Sequence, residues 1–270
     1  MSALVSRLVR RRPDPADAPT TATVMPDAEP YYGGSGPNGV LLCHGFTGTP
    51  HSMRPWAKHL EGDGFRVALP RLPGHGTTWQ EMNQTRWEDW YACVDREFAD
   101  LRASCDRVFV AGLSMGATLA LRLAEQHGDA VAGIAVVNPS VVSKDPRLKL
   151  LALRHILPSL GGISSDIALP DAVEVAYDRS PMHAGWSLTR LWAVTARDLG
   201  RLTQPLLIFK SVQDKVVEPL SLELIEERVR STDLSVVRLE RSYHVATLDY
   251  DAEVIFTSSS AFFQRLAGKG

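Results

Sequence analysis

Residues 108–126 read VFVAGLSMGATLALRLAEQ, and this stretch decides the fold. The run Val108, Phe109, Val110 is apolar and partly β-branched, as in a buried strand, and from Met115 onward the chain is rich in Ala and Leu, as in a helix. Between them lies Gly112-Leu113-Ser114-Met115-Gly116. This G-x-S-x-G pattern is weak evidence by itself, because glycine and serine are common. A strand before it and a helix after it make the strand–turn–helix that a nucleophile elbow requires. Glycines at 112 and 116 let the helix and a neighbouring strand approach a strained turn. Ser114 then stands at a helix N-terminus, where free N–H groups and the dipole favour negative charge. The competing interpretation is a serine N-cap between small residues.

Strands and helices alternate on both sides of this stretch. Residues 39–45 (GVLLCHG), 65–70 (FRVALP), 131–138 (VAGIAVVN), 205–211 (PLLIFKS) and 234–240 (LSVVRLE) read as further strands. Helical spacing covers 50–62, 87–101, 115–126, 220–230 and 252–266. Alternation of this kind implies crossover units and a mostly parallel sheet flanked by helices, an α/β fold. Residues 139–203 break the rhythm with prolines and glycines, short helical patterns at 148–156 and 188–199, and no convincing strand. An insertion there follows a strand's C-terminal end and so hangs over the face where such sheets bind ligands. It is therefore read as a small helical cap (139–203) over a core made of 38–138 and 204–270, the alternative being an ordinary crossover with extra helices.

Composition narrows the function classes. The chain has 270 residues, 29 basic and 31 acidic side chains, a net charge of −2 and 44% apolar residues. A core of that size needs no disulfide or metal to hold it. The near-neutral balance gives no reason to expect nucleic acid as a partner. Three cysteines, Cys43, Cys93 and Cys105, form no C-x-x-C pair, so neither a disulfide framework nor a metal site is expected, and a reducing compartment is the simplest reading. No stretch approaches the roughly 20 apolar residues that span a bilayer. At the N-terminus the apolar residues precede Arg10, Arg11 and Arg12, the wrong order for an export signal. A cytoplasmic protein is expected. Residues 1–12 could form a short amphipathic helix that touches an anionic membrane surface weakly, a peripheral alternative to a merely solvated basic start. Residues 13–37 contain six prolines, so 1–37 reads as a disordered or loosely attached lead, with the folded domain starting near Asn38.

A serine hydroxyl needs a base, and the base needs an orienting group. On this fold the chain order is serine, acid, histidine. Asp214 lies in the turn VQDKVV after the 205–211 strand, and His244 in the turn RSYHVATLDY after the 234–240 strand. Both strand ends fall on the same edge of the sheet as Ser114. Glu218 and Asp233 lie away from strand ends, and Asp249 and Asp251 follow His244, so no other pair meets order and position together. The alternatives are a turn-forming aspartate and a surface-loop histidine. An oxyanion hole would take one backbone N–H from Met115, after the nucleophile, and one from Phe46, in the turn CHGFTGTP after the first strand. His44 and His75 are read as braces of their loops.

The segments LLCHGFTGTPHSMRP, LPRLPGHGTT, FVAGLSMGATLAL and RSYHVATLDYD closely resemble bacterial monoacylglycerol lipases and the small carboxylesterases related to them. The resemblance runs from about Val40 to the C-terminus, with the motifs in the family's order. It implies an α/β-hydrolase fold with a small helical cap, no cofactor, the triad Ser114, Asp214 and His244, and oxyanion donors at Phe46 and Met115. It also implies that SSDIALPDAVEVAYDRSP is the cap region that senses a glycerol head, with Glu174 as the matching acidic residue. Ala117 stands where relatives often carry a second glycine, and the cap stretch VVSKDPRLKLLALRHILPSL is only loosely similar.

The expected function is a serine ester hydrolase acting on monoacylglycerols or similar medium- and long-chain esters. The partner is a small lipid ester; a homodimer is compatible. Apolar cap residues, Ile163 among them, should contribute to an acyl tunnel and to substrate binding. Two other readings stay open: a short-chain carboxylesterase or thioesterase, and a slowly turning-over ligand receptor on the same scaffold. The serine in the elbow argues against a dehalogenase or epoxide hydrolase, which would place an aspartate there.

Overall fold

A computed structural model describes residues 22–162 and 166–268. In chain order the strands are β1 (Tyr31–Gly33), β2 (Asn38–Cys43), β3 (Arg66–Leu69), β4 (Arg107–Leu113), β5 (Ile134–Val137), β6 (Ser159–Gly161), β7 (Arg179–Pro181), β8 (Leu206–Ser211) and β9 (Leu234–Leu239). The α-helices are α1 (Arg54–Gly62), α2 (Trp79–Met82), α3 (Trp87–Ser104), α4 (Met115–His127), α5 (Met182–Asp198), α6 (Leu220–Arg228) and α7 (Ala252–Leu266). Seven strands form one sheet in the order β1-β3-β2-β4-β5-β8-β9. All neighbours in it are parallel except the edge pair β1–β3.

The two-residue period of a strand sorts the core into two layers. On one face Leu41, Val108, Val110, Ile134, Val136 and Ile208 pack beneath residues of α3, α4, α5 and α6. On the other face Val40, Leu42, Phe109, Ala135, Val137 and Phe209 pack against α1 and α7, where Phe263 stacks on Phe109 with ring centroids 4.7 Å apart. Strands buried on both faces read as continuous apolar runs, which is what a helix-covered parallel sheet demands.

Three boundaries differ from those expected. The folded domain does not begin near Asn38. Tyr31–Gly33 is an edge strand paired with β3, Ala28 is fully buried, and Arg54 donates to the carbonyls of Asp27 and Glu29 at 3.1 and 2.8 Å. Those bonds compensate the backbone ordering that the proline count argued against. The preceding residues 1–21, including the proposed membrane contact at 1–12, lie outside the described residues. The second difference is in the cap, which carries a two-stranded antiparallel ribbon, β6 with β7. Each strand is only three residues long, too short to show a periodic pattern. The third is α5, assigned to the cap by its position in the chain. Its Ala184, Leu188 and Leu191 join the main core on the α3–α4 face, so the insertion proper ends near β7. Among the described residues no helix is long and apolar enough to cross a membrane.

Candidate active site

Ser114 is the single residue between β4 and α4. Its φ of 56° and ψ of −116° lie in a region that L-residues seldom occupy, a strain of about 1–3 kcal/mol when held by its surroundings. Two backbone bonds hold it. The Ser114 N–H donates to Val137 of β5 at 3.0 Å, and the Ser114 carbonyl accepts from the Thr118 N–H at 3.1 Å. Close packing does the rest. A β-carbon on Gly112 would stand 2.4 Å from the carbonyl carbon of Gly116, so the turn closes only over glycine. Met115 follows as the first residue of α4, where its N–H has no intrahelical acceptor. Phe46 lies just beyond the end of β2, and both residues line the cavity that Ser114 faces.

Asp214 follows β8 and His244 follows β9. The His244 Nδ1 is 3.1 Å from Asp214 Oδ1, and the side chains are 9% and 1% exposed. The same oxygen accepts the Val216 and Val217 N–H groups at 2.9 and 3.0 Å. Asp214 Oδ2 accepts from the Lys210 ammonium at 2.6 Å. Burial works to raise the Asp214 pKa, but the charge and hydrogen bond of His244, joined by those of Lys210, outweigh it and hold the carboxyl well below the usual carboxylate range. Nδ1 faces this carboxylate, and His244 shares the cavity with Ser114. A hydroxyl, an imidazole and a carboxylate in this order can activate the hydroxyl as a nucleophile.

The His244 loop is secured by residues that reading the sequence missed. Asn138, buried at the end of β5, donates from Nδ2 to the His244 carbonyl at 2.8 Å and to Ser211 Oγ at 3.0 Å. Asp166 accepts the His244 N–H at 3.2 Å. Lys210 is buried near the C-terminal end of β8, one strand in from the edge of the sheet. Asn138 and Lys210 had a signal, a polar residue closing or interrupting an otherwise apolar strand, in IAVVN and in LLIFKS; Asp166 had none.

The cavity is about 270 Å³ and is roofed by the insertion. Leu148, Leu151, Leu160, Leu188 and Trp192 supply apolar wall, while Leu150, Leu153 and Ile156 face outward and Leu191 belongs to the main core. Ile163 lies outside the described residues. Glu174 reaches the cavity because its segment is stitched to the loop after β2. The Tyr177 N–H donates to Thr47 O at 3.2 Å, and Thr49 Oγ1 donates to Val175 O at 2.9 Å. Tyr177 Oη donates to Gly74 O at 2.8 Å and accepts the Thr77 N–H at 2.9 Å. Desolvation raises the Glu174 pKa to about 7, against the attraction of His244. His44 and His75 brace their loops. His44 Nε2 accepts the Leu72 N–H at 3.1 Å, the two rings meet edge to face, and burial lowers both pKa values, that of His44 to about 4.

Residues 37–251 match the family described as Hydrolase_4, serine aminopeptidase, S33. The chain is 44% identical to the thermostable monoacylglycerol lipase of Bacillus sp. (strain H-257) over 91% of its own length and 98% of that protein's. It is 24% identical to a carboxylesterase of Bacillus subtilis (strain 168), over 88% and 97%. Among solved structures, a chain reported with LipS and LipT, two metagenome-derived lipolytic enzymes, superposes with a TM-score of 0.87 at 41% identity, covering 90% of this chain and 100% of that one. The monoacylglycerol lipase of Paleococcus ferrophilus shares the fold, with a TM-score of 0.76 at 21% identity, over 90% of this chain and 100% of that one. The family description names a peptidase, whereas these relatives, matched along nearly their full lengths, carry lipase and esterase names. The chain belongs to this family of serine hydrolases and has its α/β-hydrolase fold.

Proposed function

We propose that the protein is a serine ester hydrolase that cleaves monoacylglycerols or similar medium- and long-chain carboxylic esters, with Ser114, His244 and Asp214 as its triad. The observation that carries this reading is the convergence, on one cavity, of the strained Ser114 elbow, the imidazole held by Asp214 and an apolar wall shared by the insertion and α5. His244 Nε2 takes the Ser114 proton as Oγ attacks the ester carbonyl. The N–H groups of Phe46 and Met115 hold the oxyanion. His244 then protonates the leaving alcohol and activates the water that releases the acid, while Asp214 fixes the tautomer throughout.

The acyl chain is assigned to the wall of Leu151, Leu160, Leu188 and Trp192, where each buried methylene contributes about 0.8 kcal/mol. Glu174 is assigned to the alcohol, as a carboxyl that lines the same cavity and senses the charge of His244. The 44% identity to a monoacylglycerol lipase supports a glycerol head. A substrate panel crossing acyl length with glycerol, ethyl and coenzyme A leaving groups tests the reading. Long-chain monoglycerides should lead. Preference for acetyl or thioester substrates would replace it with the esterase or thioesterase reading, and near-zero turnover with normal affinity would mark a receptor.

A further inference from the structure

Lys210 is a charged side chain buried on β8, next to the triad but outside it. It sits in the central parallel sheet, 6% exposed, where an ammonium is costly unless paired. Its two partners are Asp214 Oδ2 at 2.6 Å and the Val217 carbonyl at 3.0 Å. The Asp214 carboxylate is therefore divided. Oδ1 serves His244 and two loop N–H groups, and Oδ2 serves the lysine.

We propose that Lys210 is a positioning residue of the catalytic triad: its ammonium locks Oδ1 of Asp214 toward His244 and offsets the carboxylate's charge, so that His244 remains a competent base in mildly acidic solution. This rests on the triad assignment above.

The charge argument follows from what faces the pair. A carboxylate beside an imidazole favours the imidazolium, which cannot act as base. A further carboxylate adds to that pull from the cavity side: Asp166 Oδ2 accepts the backbone N–H of His244 at 3.2 Å, whereas Glu174, its pKa raised to about 7 by desolvation, adds its attraction only as it ionises near neutral pH. From the loop side, Asp249 takes the Tyr243 N–H at 2.9 Å but spends its oxygens on the N–H groups of Ala168, Leu169 and Tyr250 as well. Lys215 is turned away, with its Nζ 4.0 Å from the Tyr243 ring centroid. Across the cavity, Asp145 and Arg147 pair with each other at 2.6 Å. Lys210 is thus the cation in direct contact with the catalytic carboxylate, and it counters the surrounding acids from the strand side.

The test is the pH profile of kcat/KM on a chromogenic medium-chain ester for wild type, Lys210→Met and Lys210→Gln, with thermal melts to confirm folding. Removing the charge should move the acid limb upward by about 0.5–1 pH unit, less than a directly adjacent charge produces because Asp214 intervenes. Activity near pH 5.5 should fall several-fold further than activity near pH 8. Glutamine keeps a donor for Oδ2 without the charge, so it should shift the limb as methionine does, and it decides the matter by itself if the methionine variant does not fold. Folded variants with an unmoved limb, losing rate equally at every pH, would overturn the proposal and leave Lys210 as a packing residue. A limb restored by glutamine would also overturn it, because the hydrogen bond and not the charge would then be responsible. Ser114→Ala in the same assay separates the two levels: activity surviving there would remove the triad itself.

Discussion

A β-carbon on Gly116 would stand 2.0 Å from the carbonyl oxygen of Cys43, at the end of the strand beside the elbow. Helix α4 therefore approaches β2 more closely than any side chain permits, and that approach holds Met115 and Phe46 at one cavity. Gly116→Ala has to push the helix off the strand. It should cost at least about 3 kcal/mol, since backbone on both sides cannot yield as a flexible side chain would. Denaturant melts check this, with Ala117→Gly as a control in the next residue. A Gly116→Ala protein with wild-type stability would mean that the helix does not sit this close.

Ser114→Ala should lower kcat by on the order of a million-fold, because triad members act as a unit. The backbone strain at Ser114 is the same for alanine, so the melting temperature should move by no more than a degree or two. Single-turnover assays on a chromogenic ester, with a melt alongside, check both halves. Substantial turnover in the variant would place the nucleophile elsewhere.

The sheet and the strand ends were legible because burial on both faces leaves long apolar runs, and because a hydrolase elbow forces a serine between a strand and a helix. The 252–266 helix was read from spacing with the bounds that the structure shows. What was not legible depends on pairing across long sequence separations. The edge strand Tyr31–Gly33 looks like a proline-flanked lead until Arg66–Leu69 is seen beside it. Asp166 looks like a loop residue and Asn138 like a polar strand end until they meet the His244 backbone, 78 and 106 positions away. Lys210 stands out as a charge in an apolar strand, and its contacts with Asp214 and the Val217 carbonyl explain its burial.

That contact changes what Asp214→Asn should do. The wrong imidazole tautomer is favoured, so kcat should fall by roughly ten-thousand-fold. The substitution also strips a buried ammonium of its anion, which costs up to about 3–5 kcal/mol. Asp214→Asn combined with Lys210→Met should recover most of that stability and none of the activity. The pH dependence has a definite sign. A carboxyl held below its ordinary range stabilises the fold above about pH 4 and loses that contribution as pH falls through its folded-state value. Wild type should therefore lose stability on acidification more steeply than the double variant. Parallel acid-denaturation curves for the two would rule out this linkage.

Glu174 is the opposite case. Desolvation lifts its pKa to about 7, well above a free glutamate near about 4.3. Between those values the unfolded chain is ionised while the folded one stays protonated, so the residue destabilises the fold increasingly as pH rises from about 4 to 7 and constantly above. Glu174→Gln should raise the melting temperature by a few degrees at pH 8 and by less at pH 5. Its chemistry should be selective. A cavity carboxyl that pairs with glycerol hydroxyls leaves them unpaired when truncated, at about 1–3 kcal/mol, whereas an ethyl ester has no such hydroxyls to lose. Glu174→Ala should then reduce kcat/KM roughly ten-fold or more for a monoacylglycerol and little for the ethyl ester of the same acid. The neighbourhood supplies an independent control. A β-carbon on Gly48 would come within 2.7 Å of Glu174 Oε1, so Gly48→Ala should displace the carboxylate and reproduce the same substrate bias. Equal losses on both esters in both variants would show that Glu174 holds the loop after β2 and does not read the alcohol.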